Sequence, residues 1–228
     1  MTTAKTVSAA KAKTRDGVEI VFDIWGDPNA PKRFALVHSL AQDRGFWDAV
    51  AGQLAGKAAV LAYDCRGHGT SGKPKGPYTA EQFADDLADL MDAVGWKDAN
   101  VAGCSMGGCV ALAYAINHGD RTNGLGLIDT TAWYGADAPK AWGERADAAA
   151  SKGLASLADF QLTRWFSDAF RTSGNPVVKR SLEVFLANEI PAYADTCRML
   201  GAVNLEAQLG AISAPTRIIV GEQDYAAT

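Results

Sequence analysis

Short apolar runs alternate with segments of helical periodicity along most of the chain, and this alternation restricts the fold more than any other feature. Strands are predicted at residues 18–24, 34–38, 58–63, 100–104, 124–129 and 217–220. Strands separated by helices are typical of crossover units, in which helices cover both faces of a parallel sheet. The sequence therefore predicts an α/β protein with a mostly parallel, doubly wound sheet.

The predicted helix at residues 80–94 shows the helical periodicity most clearly. Its apolar residues recur on one face, and Thr79 with Gln82 has the spacing of a capping box. The acidic residues of the segment are expected mostly on the solvent-facing side, which is favoured over a pair of catalytic carboxylates. These residues are Asp85, Asp86, Asp89 and Asp92.

Between Thr131 and about Leu209 the alternation stops. This stretch has helical patterning and is rich in aromatic residues, including Trp133, Trp142 and Trp165. It is therefore predicted to be a helical cap, residues 131–209, inserted into a core formed by residues 1–130 and 210–228.

The composition is that of a folded protein without a strong charge preference. Lys and Arg total 22 and Asp and Glu 26, which gives a formal net charge of -4. Such a chain has no general electrostatic attraction to nucleic acid or anionic lipid. The longest stretch without charged residues, 99–119, contains Asn and Gly and predicts a buried strand and helix rather than a membrane span. Residues 1–14 hold no apolar run that could serve as a signal peptide.

The cysteines and histidines predict no disulfide framework and no metal site. Four cysteines lack framework spacing, so reduced thiols in a cytoplasmic protein are expected. The three histidines do not form the paired spacing of a tetrahedral metal site. We therefore expect no metal or cofactor, and the sequence gives no indication of the oligomeric state.

The pentapeptide Gly103-Cys104-Ser105-Met106-Gly107 matches the pattern G-x-S-x-G. It follows a predicted strand and begins a predicted helix, which is the setting that presents a nucleophilic serine on a sharp, strained turn. Glycines suit the flanking positions because a Cβ there would clash as strand and helix approach each other. We interpret Ser105 as a nucleophile; the alternative is an ordinary glycine-rich turn with an inert serine.

A nucleophilic serine requires donors for the oxyanion that its attack on a carbonyl creates. The backbone N–H of Met106, directly after the serine, is the expected first donor. The second is assigned to the N–H of Leu40, in the loop after the strand at residues 34–38. His38 in that loop is interpreted as a structural hydrogen-bonding residue.

Residues 67–72 match G-x-G-x-x-G after a predicted strand, as a dinucleotide site would. That site also requires a helix at the third glycine. The sequence Lys73-Pro74-Lys75-Gly76-Pro77 follows instead and does not begin a helix, so the match is interpreted as a decoy.

The acid of a Ser-Asp-His triad is predicted at Asp224, after the last strand, with Asp129 as its rival. No histidine follows Asp224 in the sequence. His118 lies at the far end of the helix that begins beside Ser105, and His68 is interpreted as structural. We therefore expect the base beyond residue 228, together with a last strand and helix, and we expect the 228-residue chain to be severely impaired.

These motifs resemble the α/β-hydrolase superfamily, and within it the 3-oxoadipate enol-lactonases. The resemblance runs from about Val18 to Thr228 and includes residues 63–69, 76–79, 105–108 and 164–166, and the end of the chain from Gly221 through Ala226, Ala227 and Thr228. Members of that group tend to carry a basic residue before Ile-Gly where this chain has Trp133-Tyr134-Gly135.

The resemblance implies an α/β-hydrolase core with a cap, Ser105 as nucleophile and Asp224 as acid. It also implies hydrolysis of a small ester or lactone through an acyl-enzyme. A lactone substrate with a free carboxylate would need a cation from the cap, for which Arg145 and Arg164 are candidates. Three tryptophans are candidates for lining an apolar pocket: Trp133, Trp142 and Trp165.

Other functions remain open at this point. A general carboxylesterase or a carbon–carbon bond hydrolase would use the same serine motif and cap. A non-catalytic small-molecule receptor of the same fold would bind its ligand without releasing an acid.

Overall fold

Seven strands form one sheet in the computed structural model, which describes residues 4–224. Their order across the sheet is β1-β2-β4-β3-β5-β6-β7. The pairs β1–β2 and β2–β4 are antiparallel, and the strands from β4 to β7 are parallel. The mostly parallel sheet is therefore confirmed. The strands are β1 (Lys5–Lys13), β2 (Glu19–Trp25), β3 (Arg33–Val37), β4 (Ala59–Tyr63), β5 (Ala99–Cys104), β6 (Thr122–Ile128) and β7 (Thr216–Ile219).

Helices cover both faces of this sheet. On one face Trp47 and Ala51 pack against Leu36, Val60 and Ala62. On the other face the core contains the alternate residues of the same strands together with α2 and α3. The α-helices are α1 (Asp48–Leu54), α2 (Ala80–Ala93), α3 (Met106–Asn117), α4 (Ala138–Lys152), α5 (Ala158–Trp165), α6 (Asp168–Arg171), α7 (Pro176–Leu186) and α8 (Ile190–Ala202).

Helix α2 has the predicted capping box, in which Thr79 and Gln82 bond to each other's backbone N–H groups. The expected exposure of its acidic side is wrong for Asp86, which is buried. The Asp86 carboxylate accepts a hydrogen bond from Arg66 Nε at 2.7 Å, and Arg66 lies in the loop after β4. The helical pattern did not predict this pair because Arg66 approaches from a segment distant in sequence.

Five helices, α4 to α8, lie between β6 and β7 in the chain, in the stretch 131–209 where the strand–helix alternation stops. Helices α4 and α8 pack against each other. We propose that this stretch is a cap, because residues of α4, α5 and α7 line the cavity into which Ser105 opens. No helix within residues 4–224 is long and apolar enough to span a bilayer.

The strand β7 lies at one end of the described sheet and is exposed along its whole length. Ile218 is 75% exposed and Ile219 59%. Residues 226–228, which carry part of the resemblance noted above, lie outside the described residues.

Candidate active site

Ser105 connects the end of β5 to the start of α3 in a strained conformation, with φ 52° and ψ -115°. Positive φ is uncommon for residues other than glycine. The close approach of strand and helix also explains the flanking glycines. A Cβ on Gly103 would lie 1.9 Å from the carbonyl oxygen of Gly107, and one on Gly107 would lie 2.2 Å from that of Val37. The turn is therefore as sharp as the G-x-S-x-G pattern predicted.

Ser105 is partly exposed and lines a cavity of about 1610 Å³ between the sheet and helices α4 to α7. Ligand pockets usually hold about 300–1,000 Å³. The cavity is therefore an open cleft whose volume does not by itself select a small substrate. Leu40, Asp129 and Asp224 also line it.

The loop after β3 lies against the first turn of α3, because Gly107 approaches the carbonyl oxygens of both Val37 and His38. This contact places Leu40 and Ser105 on the same cavity. Met106 is the first residue of α3, so its N–H has no acceptor within the helix. The N–H of Met106 is therefore available as an oxyanion donor, and the N–H of Leu40, on the adjoining loop, stays the predicted second donor.

His38 holds the Leu40 loop in place and has no free ring nitrogen. Its Nδ1 lies 2.8 Å from the Ser39 carbonyl oxygen, and its Nε2 accepts the Cys65 N–H at 3.0 Å. Both contacts together require the neutral ring with the proton on Nδ1. Burial also lowers the pKa of His38. This arrangement agrees with the structural role predicted for it.

Like His38, the other two histidines do not line the cavity of Ser105. His68 is buried with its Nδ1 3.0 Å from the Arg66 carbonyl oxygen, and burial lowers its pKa to about 3. His118, directly after α3, lies with Nε2 2.9 Å from an oxygen of Asp85. None of the three is placed as a base for Ser105.

The two candidate acids lie at the ends of neighbouring strands. Asp129, after β6, has φ 43° and accepts the Gly221 N–H at 2.7 Å. Asp224 bonds through its own N–H to the Gly221 carbonyl at 2.9 Å. Burial and both carboxylates raise the pKa of Cys104, the neighbour of Ser105, to about 12. Asp129 is thus bonded to the turn that carries Asp224, and both acids line the same cavity as Ser105.

Four of the predicted substrate contacts line the cavity: Trp142, Arg145, Arg164 and Trp165. Trp133 does not. Its backbone pairs with Asn204 in an isolated bridge, and its side chain is exposed. Its neighbour Tyr134 lines the cavity in its place.

Arg145 is held by Tyr193 and Gln161, neither of which was predicted from the sequence. Its Nε donates to the Tyr193 hydroxyl at 2.7 Å, and Gln161 Nε2 donates to the same oxygen at 3.2 Å. The guanidinium lies 4.8 Å from the ring centre of Trp142 and 5.5 Å from that of Phe160. Within residues 4–224 no carboxylate forms an ion pair with it. No sequence signal links these residues, because they come from three different helices.

Comparison with known proteins identifies the family. The family described as "alpha/beta hydrolase fold" matches residues 32–224. The chain is 31% identical to "3-oxoadipate enol-lactonase 1" of Acinetobacter baylyi, over 94% of this chain and 79% of that protein. The crystal structure of an enol-lactonase from Burkholderia xenovorans superposes with a TM-score of 0.91 at 35% identity, covering 96% of this chain and 84% of that one.

A third similar protein is a thermophilic esterase from Thermogutta terrifontis, whose structure has malate bound. Its TM-score is 0.86 at 28% identity, over 100% of this chain and 83% of that one. The chain therefore belongs to the α/β-hydrolase fold family. Within the family its resemblance is to the 3-oxoadipate enol-lactonases, and these relatives support a hydrolase activity.

Proposed function

We propose that the protein is a serine hydrolase that cleaves a carboxylic ester or lactone through an acyl-enzyme. The observation that carries this proposal is the position of Ser105. It is a strained, solvent-reachable serine at a strand–helix junction, next to the N–H of Met106 and on the same cavity as Leu40. That combination supplies both a nucleophile and donors for the charge that develops on the carbonyl oxygen.

In the proposed reaction Ser105 Oγ attacks the carbonyl carbon, and the N–H groups of Leu40 and Met106 stabilise the oxyanion. The serine proton passes to a base and then to the leaving oxygen, so that a lactone ring opens to an acyl-enzyme. Water then attacks the acyl carbon and releases the acid. Asp224 is proposed to orient the base. The base itself stays a prediction from the sequence, a histidine beyond residue 228.

For the substrate we propose a lactone that carries a free carboxylate, such as a 3-oxoadipate enol-lactone. Arg145 supports this proposal because it is a cation among aromatic rings, fixed by Tyr193 and without an acidic partner in the described chain. A carboxylate is the group that such a guanidinium binds best. The similar proteins point the same way, since they include two enol-lactonases and an esterase with bound malate, a dicarboxylate.

Covalent labelling tests the nucleophile. A fluorophosphonate probe in large excess should modify the 228-residue chain at Ser105, slowly because this chain is expected to be severely impaired. Peptide mass spectrometry locates the modification, and the substitution Ser105→Ala should abolish it. Cys104→Ala is the matched control and should leave it in place. Labelling that persists in the Ser105→Ala protein would exclude Ser105 as the nucleophile.

Substitution of the cap arginines tests the substrate. Arg145→Gln should weaken binding of adipate, a dicarboxylate, by about 10–100-fold, because a hydrogen bond to a charged group contributes about 1.5–3 kcal/mol. Arg198→Gln is the control and should bind adipate as the wild type does, since Arg198 is exposed and does not line the cavity. Calorimetry measures both, and equal affinities in the wild type and Arg145→Gln would refute the carboxylate site.

A general carboxylesterase is the second candidate, and the size of the cavity favours it. A cleft of about 1610 Å³ also admits esters larger than a monocyclic lactone. Comparison of an aryl ester with the enol-lactone as substrates separates the two functions.

A further inference from the structure

Leu40, the predicted second oxyanion donor, lies in a strained turn formed by residues 39–42, which we call the Leu40 turn. The Gln42 N–H closes this turn by donating to the Ser39 carbonyl oxygen at 3.1 Å. Leu40 and Ala41 at its centre are buried. Ala41 has φ 57°, in the left-handed region that residues other than glycine seldom adopt. Such a conformation persists only where surrounding contacts stabilise it.

Asn188, two residues after the end of α7, makes such a contact. Its Nδ2 lies 3.0 Å from the carbonyl oxygen of Ala41, 147 positions away in the chain. The same nitrogen lies 2.8 Å from the Val184 carbonyl oxygen and 3.1 Å from that of Phe185, both in the last turn of α7. Three carbonyl oxygens around one nitrogen fix the orientation of the amide, because only its NH₂ group donates. Asn188 therefore joins the end of α7 to the Leu40 turn.

Two further contacts connect α7 with the same loop. Gln42 Nε2 donates to the Ser181 carbonyl oxygen at 3.3 Å, and the Arg180 guanidinium lies 2.6 Å from the Asp43 carboxylate. Arg180 is exposed, so this ion pair contributes little. The Asn188 bond differs from both, because its acceptor is the carbonyl of the strained residue itself.

The peptide groups of the turn transmit the Asn188 bond to Leu40. A peptide group is planar and trans, so its C=O and N–H point in opposite directions. Asn188 fixes the Ala41 carbonyl and with it the Gln42 N–H of the same peptide group. That N–H bonds to the Ser39 carbonyl, which shares its own peptide plane with the Leu40 N–H. The direction of the Leu40 N–H therefore depends on the contact from the end of α7.

We propose that Asn188 is a positioning residue for the oxyanion donor Leu40, so that the cap completes this donor as well as covering the cavity. His38 holds the Ser39 carbonyl from the core side of the turn, whereas Asn188 holds the Ala41 carbonyl from the cap side. When the cap bond is removed, the peptide group after Ala41 can rotate out of its strained conformation. The proposal rests on the proposed function.

The test compares the full chain with its Asn188→Ala variant. The limiting rate at which excess fluorophosphonate modifies Ser105 should fall about tenfold, as loss of one hydrogen bond implies. Removal of an oxyanion donor costs about 10²–10³-fold, and the loss is smaller here because Leu40 stays present and is only held less firmly. The probe concentration at half the limiting rate should stay the same, since Asn188 does not line the cavity. Equal rates in Asn188→Ala and the wild type would overturn the proposal.

Asn175→Ala is the matched control, because Asn175 caps the opposite end of α7. Its Oδ1 accepts the Val177 N–H at 3.0 Å, within the same helix. This variant loses a helix cap and should still react at the wild-type rate. Addition of Ala41→Gly to Asn188→Ala should restore most of the rate, because glycine adopts positive φ without strain. A double variant as slow as Asn188→Ala would place the cause outside the turn and overturn the proposal.

Hydrogen exchange keeps this proposal distinguishable from the proposed function. By mass spectrometry, amides in residues 39–46 should exchange about tenfold faster in Asn188→Ala than in the wild type or Asn175→Ala. If the wild-type chain is not modified at Ser105, the proposed function fails, and this exchange decides whether Asn188 holds the turn. Unchanged exchange overturns that role. Should Asn188→Ala not fold, Asn188→Ser, whose shorter side chain does not reach Ala41, replaces it with the same expected results.

Discussion

At the scale of single residues, the site depends on positions where the backbone leaves no space for a side chain. Gly103 and Gly107 allow β5, α3 and the Leu40 loop to meet around Ser105. The serine itself takes the strained φ that results. Because backbone atoms set this geometry, a substitution that disturbs it should also lower the stability of the folded protein.

Gly107→Ala is expected to destabilise the protein by about 1–3 kcal/mol, because its Cβ would collide with the Val37 carbonyl oxygen and force backbone shifts. Urea unfolding measures this change. Gly119→Ala is the matched control, since nothing lies within 4 Å of a Cβ at that position. A Gly107→Ala protein as stable as the control would show that the two segments are not in contact.

The buried His68 is expected to make the protein sensitive to acid. Its pKa is about 3 in the folded state against 6.5 as the ordinary value, so protonation favours the unfolded chain. The stabilisation is complete above pH 6.5 and is lost as the pH falls toward 3, by about 1.4 kcal/mol per pH unit. The free energy of unfolding should therefore fall by about 2 kcal/mol between about pH 6.5 and about pH 5 from this group alone.

His68→Gln should remove this contribution from the pH dependence of unfolding, so that the slope of the variant is shallower than that of the wild type. Both slopes are measured by urea unfolding at several pH values. An unaltered slope in His68→Gln would assign the acid sensitivity to other groups.

At the scale of elements, α2 shows what the sequence pattern predicts and what it misses. Its limits, its apolar face and its capping box follow from local spacing, and all are found in the structure. The buried position of Asp86 depends on Arg66 from another loop, which no local pattern contains. For the same reason, only part of the candidate site could be predicted from the sequence. Ser105 and its glycines were predictable from one pentapeptide, whereas Tyr134 and Tyr193 are brought to the cavity only by tertiary packing.

Asp86→Ala is expected to cost about 3 kcal/mol, because it leaves the buried Arg66 charge with only the partly exposed Asp16 as its partner. Asp92→Ala, also in α2, removes the ion pair with Arg121 at an exposed carboxylate and should cost at most about 1 kcal/mol. Chemical unfolding of the two variants gives the comparison. Similar losses in both would contradict the buried ion pair.

At the scale of the whole molecule, the described sheet ends in an exposed apolar strand. Exposed strand edges pair readily with other chains. The 228-residue protein is therefore expected to associate as its concentration rises, and Ile218→Lys on β7 should reduce this association in light scattering. Leu186→Lys, an exposed apolar residue at the end of α7, is the control. Equal association of Ile218→Lys and wild type would place the contact elsewhere.

Two separate stretches of the chain form the wall of the cavity, and this division affects how the substrate preference of such a protein can evolve. Ser105 and Leu40 belong to the sheet and its loops, whereas Arg145 and Trp142 belong to α4. Exchanges in α4 alter which molecules are retained without disturbing the reactive turn. Selection can therefore adjust substrate preference and reactivity as nearly independent traits, and laboratory evolution of new preferences is best directed at the helical stretch.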